Sequence, residues 1–106
     1  MEEIIERLKD KTFTQEDIEN LYNYYKNSEN KELAKDVSEL YKYARLISRA
    51  SKQNYLLCPG CVTFHQRLEY YNDIYNVQPF MFTFKVDSGY SYINCLSNIL
   101  NLIIRN

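Results

Sequence analysis

Residues 31–50 hold no glycine or proline, and along them Leu33, Val37, Leu40, Ala44 and Ile47 recur at steps of four and three. That period matches the 3.6 residues of a helical turn, so the spacing predicts one long amphipathic helix with a single apolar stripe. At a rise of about 1.5 Å per residue, such a helix spans about 30 Å, the diameter of a small domain. A chain of 106 residues has room for one core, and a helix of this length must run through it. The remaining residues therefore have to supply the surfaces that cover the stripe.

On the N-terminal side, Ile4, Ile5 and Leu8 suit a short helix, which Lys11-Thr-Phe-Thr14 interrupts. Thr14-Gln-Glu-Asp17 then places a hydroxyl cap and acidic residues ahead of Ile18, Leu21, Tyr22 and Tyr25, which share one helical face. Asn27-Ser-Glu-Asn30 is a polar break of the length that joins neighbouring helices. Beyond the long helix, Cys58-Pro-Gly-Cys61 is a turn signal. After it, Cys61, Phe64, Leu68, Tyr71 and Tyr75 predict a helix over 62–76, in competition with a small hairpin pairing 55–57 with 62–64.

Pro79 closes that segment, and Phe80, Phe82, Phe84 and Val86 then alternate with other residues up to the Asp87-Ser-Gly89 turn. With Tyr90 and Tyr92 continuing the alternation, residues 80–92 read as a β-hairpin. Ile93, Leu96, Leu100 and Ile103, flanked by Ile99 and Ile104, predict a C-terminal amphipathic helix. The expected fold is thus α+β and mainly helical, a single domain over 1–106. Its parts are three N-terminal helices, the Cys-Pro-Gly-Cys turn leading to a further helix, one β-hairpin and the closing helix.

Composition removes several function classes. A net charge of −1 and a pI near 5.8 exclude the strong overall basicity of a non-specific duplex binder, so any nucleic-acid role must rest on a local patch. Eleven tyrosines carry little weight by themselves, because AT-rich codon usage favours them. The first residues lack a signal-peptide pattern and no apolar run has membrane length, so a cytoplasmic location and no membrane partner are expected. Three cysteines cannot all pair within one chain, and a reducing compartment makes disulfide stapling unexpected. Two glycines, Gly60 and Gly89, leave no phosphate-cradling loop, and the single histidine, His65, has no Ser or Asp at a telling spacing. The chain reads as a non-enzyme.

Two constellations remain. Cys58, Cys61, His65 and Cys95 are the four residues from which one structural zinc site could be assembled, since Cys-x-x-Cys lets two thiolates approach one ion from a tight turn. Buried cysteines without any cofactor, or a thiol-redox pair, are the competing readings. On the long helix, Lys31, Lys35, Lys42, Arg45, Arg49 and Lys52 fall in one sector opposite the apolar stripe, with no acid after Lys42. Lys42, Arg45, Arg49 and Lys52, with Tyr41 beside them, form the candidate nucleic-acid surface, for single or double strands. A solvated helix face or a dock for an acidic protein is the plainer alternative.

The expected function is a small non-enzymatic nucleic-acid-binding, replication or regulatory accessory protein. A protein-interaction module, such as an inhibitor or accessory subunit of a phage or mobile element, is the alternative, along with a zinc-stabilised or thiol-redox CxxC protein. The closing helix is apolar over much of its circumference, which marks residues 93–104, from Ile93 to Ile104, as a candidate homodimer or partner contact.

Overall fold

The computed structural model describes residues 1–52, 60–77 and 92–105. They form α1 (Glu2–Asp10), α2 (Gln15–Tyr25), α3 (Lys31–Lys52), α4 (Phe64–Val77) and α5 (Tyr92–Arg105). No strand occurs among the described residues, so the expected α+β class is corrected to an all-helical fold. Residues 80–91 of the expected hairpin lie outside the described residues, as do 55–57 of the alternative one. Phe64 opens α4, in keeping with the helix expected over 62–76 and against the competing hairpin. Tyr92, expected at the end of the 80–92 hairpin, instead opens α5 with its side chain fully buried and its N–H donated to Asn72 Oδ1 at 3.4 Å.

The long helix is the axis of the structure. Leu33, Val37, Leu40, Ala44 and Ile47 are all buried, and Tyr43 and Leu46 are buried beside them. The stripe is wider than its five-residue signature because α3 packs against α2, α4 and α5. Three neighbours cover more of a helix than one apolar face needs. Leu68 and Tyr71 of α4, with Leu96 and Ile99 of α5, complete the core from the opposite side. Burying each aliphatic side chain of this kind is worth about 1.5–3 kcal/mol.

The helix ends follow local chemistry. Lys11 takes the left-handed conformation (φ 62°, ψ 28°) and terminates α1, with Thr12 N–H bonded back to the Arg7 carbonyl at 2.9 Å. Thr14 Oγ1 then accepts from Asp17 N–H at 3.2 Å, while Asp17 Oδ2 accepts from Thr14 N–H at 3.0 Å, a reciprocal capping box. Phe13 and Ile18, on either side of the cap, are both buried, so the break between α1 and α2 is anchored in the core. Asn30 Oδ1 caps α3 by accepting from Leu33 N–H at 3.3 Å. Thr63 and Gln66 form a second reciprocal box, with N–H to side-chain distances of 3.1 and 2.9 Å. That box places the start of α4 at Phe64, two residues later than the periodicity alone suggests.

The closing helix is rotated from its expected orientation. Its buried residues are Tyr92, Cys95, Leu96 and Ile99, while Leu100 and Ile103 are half-buried and Ile93 is 39% exposed. Polar contacts fix this rotation. Cys95 Sγ donates to the Asp36 carbonyl at 2.9 Å, and Asn98 Nδ2 donates to Glu32 Oε1 at 3.2 Å and to Asp36 Oδ2. An apolar circumference leaves several faces free to turn inward, and these bonds to α3 select one. Among the described residues, no helix is long and apolar enough to cross a membrane.

The joint between α1 and α2 is an ion pair. Arg7 donates to both oxygens of Asp17, Nε to Oδ2 and Nη2 to Oδ1, each at 2.8 Å. These bonds, joined by the Thr14 N–H, hold the Asp17 carboxyl below the usual carboxylate range although burial opposes it. A depressed folded-state pKa contributes stability that is fully present above the unfolded value of about 3.9 and is lost as pH falls through the folded one. Asp17→Ala is therefore expected to lower stability by about 1 kcal/mol at pH 7, with the gap to wild type closing below about pH 4. Urea unfolding across pH 3–7 checks this, and a gap that stays constant down to pH 3 would contradict it.

Candidate nucleic-acid interface

Because α3 has neighbours on its other sides, one strip of it faces water, and the cations lie there. Lys31, Lys35, Lys42, Arg45, Arg49 and Lys52 are all exposed. Glu39 lies 3.7 Å from Lys42 and is the last acid on the helix. Beyond it, Lys42, Arg45, Arg49 and Lys52 follow one another over about 15 Å of a single rigid element. Lysine brings a mobile point charge and arginine a planar fork that binds two phosphate oxygens at once.

Tyr41 sits at the edge of this row, and its ring is occupied. It is half-buried and stacked on Tyr22 of α2, with ring centroids 4.2 Å apart and planes inclined by 11°. The Arg45 guanidinium lies over the Tyr41 ring at 5.8 Å, and the Lys26 ammonium lies over the Tyr22 ring at 5.7 Å. Each cation is four residues beyond its own tyrosine, one helical turn along its own helix. The row thus extends from α3 to the end of α2. Lys26 was not among the residues singled out from the sequence, although its spacing from Tyr22 was visible there. The contact between the two tyrosines depends on how α2 crosses α3, which no local pattern records.

The four proposed metal ligands are not gathered in one place among the described residues. Cys58 lies outside them. Cys61 is disulfide-bonded, contrary to the expectation that disulfides are absent, and Cys95 is free. Cys95 is buried at the α3–α5 contact, where burial, and then the Asp36 and Glu39 carboxylates, raise its thiol pKa well above the ordinary range. A thiol in that setting keeps its proton, whereas zinc binds thiolate. No group of three or more His, Cys, Asp or Glu side chains that could hold a metal ion occurs among the described residues.

His65 is buried and has a partner on each ring nitrogen. Glu69 Oε1 lies 3.0 Å from Nε2, and the Tyr92 hydroxyl meets Nδ1. A carboxylate only accepts, so the arrangement suits Nε2–H donating to Glu69 and Nδ1 accepting from the tyrosine. Phe13 stands edge-on to the imidazole at 5.9 Å between ring centroids. Burial raises the Tyr92 pKa, so the hydroxyl stays protonated as a donor. The cluster joins α4, α5 and the α1–α2 turn, and its chemistry is that of a satisfied interior polar group. Glu69, four residues from His65, was a legible partner in the sequence. Tyr92, which the strand reading placed at the end of the hairpin, is one of the most deeply buried residues. Elsewhere, Tyr24 is exposed, Tyr70 is half-buried and Tyr90 lies outside the described residues.

Comparison of the chain with known protein families, with curated proteins and with solved structures found no match.

Proposed function

We propose that this protein is a small non-enzymatic nucleic-acid-binding accessory protein that grips phosphates with the outer row of α3. The observation that carries this reading is the run Lys42, Arg45, Arg49 and Lys52, all exposed on one helix with no acid interspersed. In a chain of net charge −1, segregating cations in this way concentrates a local positive field that the overall composition does not suggest. A regulatory or replication role in the cytoplasm fits a binder of this size, because nucleic acid is then the accessible polyanion. Four phosphate contacts imply a log–log salt slope of about −3 to −4. Reversing two charges, in the Arg45→Glu, Arg49→Glu variant, is expected to weaken oligonucleotide binding about a hundredfold at low salt. Both side chains are exposed, so the circular dichroism of the variant should match wild type. Fluorescence anisotropy that shows unchanged affinity would overturn the reading.

A second reading concerns α5. Ile93, Leu100 and Ile104 are spaced by seven and four residues along one strip, with Ile93 39% and Ile104 63% exposed. We propose that this strip mediates self-association, which would set two α3 rows in one particle. Sedimentation at increasing protein concentration is expected to show a dimer that Ile104→Glu abolishes. A monomer throughout the range would remove this reading and leave the first untouched.

A further inference from the structure

We infer that the nucleic acid this face takes is a duplex, held by its backbone from two helices, and that Lys26 of α2 is part of the grip. The inference rests on the phosphate-binding reading above and adds the form of the ligand and one residue. Proteins that hold single strands interleave cations with open aromatic faces, on which successive bases stack. Among the described residues, the rings that touch these cations are Tyr22 and Tyr41, and they are stacked on each other with Lys26 and Arg45 over them. A base entering there must first separate a packed pair. Tyr24 is exposed, but it stands two residues from Tyr22, about 200° around α2, and so points away from the row. Among the described residues, the cationic side therefore offers charge without an open ring.

The same tyrosine pair gives the cations a fixed arrangement. Tyr22 carries Lys26 and Tyr41 carries Arg45, so the stack ties the end of α2 to the row on α3 and sets the spacing between their charges. A duplex presents two phosphate rows across grooves about 6 and 12 Å wide, at separations that its own stiffness maintains. Cations anchored on two helices suit that geometry. A flexible single strand needs only one row and gains nothing from the second. Tyr22 and Tyr41 are then positioning residues that hold the charges in place.

The test is anisotropy of a labelled duplex of about 20 base pairs and of one of its strands alone, each titrated with the full chain at several salt concentrations. The duplex is expected to bind about tenfold tighter and with the steeper salt slope, because each phosphate contributes about 0.9 to the slope in a duplex and about 0.7 in a single strand. Lys26→Gln is expected to reduce the duplex slope by about one without changing helical content. Equal or tighter binding of the single strand would overturn the duplex inference while leaving phosphate binding in place. An unchanged slope in Lys26→Gln would remove Lys26 from the grip. If neither form binds at low salt, the inference and the reading beneath it both fall.

Discussion

The burial of α3 is the constraint on which the rest of the structure depends. A helix of about 22 residues with α2, α4 and α5 packed around it has little surface left for water. Charged side chains are costly to bury without partners, so its lysines and arginines must all occupy the remaining strip. Core packing and the basic row are therefore two consequences of one arrangement. Placing the cations on the longest and best-buried element also makes their spacing rigid, which a loop of the same composition would not do.

Specific polar contacts decide how the other helices meet that axis. Arg7 and the Thr14 cap converge on Asp17 and set the angle between α1 and α2. Asn98 and Cys95 reach the side chain and carbonyl of Asp36 and set the rotation of α5 on α3. The imidazole of His65 joins α4 to α5 through Glu69 and Tyr92. Apolar burial supplies most of the driving force but has little directional preference, whereas each of these bonds is satisfied in one register. Two of the residues that looked like metal ligands serve this purpose, since His65 and Cys95 are both interior hydrogen-bonding groups.

How much of this was legible follows from which features are local. The stripe on α3, the hydroxyl cap at Thr14 and the helix after Cys61 depend on residues within a few positions of one another. All three are present, with the cap completed into a reciprocal box by Asp17 and the helix beginning two residues late. The orientation of α5 was not legible, because Ile93, Leu96, Ile99, Leu100 and Ile103 offer several equivalent apolar faces and the deciding partners are about sixty positions away. Tyr92 was misread for a related reason. Alternation in a tyrosine-rich stretch resembles a strand until burial against His65 and Tyr43 shows that the helix has already begun. Within the candidate site, the row of cations was visible in the helical spacing. The stacking of Tyr41 on Tyr22, which turns a ring that looked open into a brace, exists only once two helices cross.

The α3 row, extended by Lys26, is the surface through which we propose that this protein meets nucleic acid. Amide chemical-shift mapping while a short DNA duplex is added tests it most directly, since it locates contact residue by residue without altering the protein. Perturbations are expected to concentrate at residues 42–52 and around Lys26 and to fade as salt is raised, with the outer strip of α5 silent. Perturbations centred on α5, or none at saturating duplex, would contradict it.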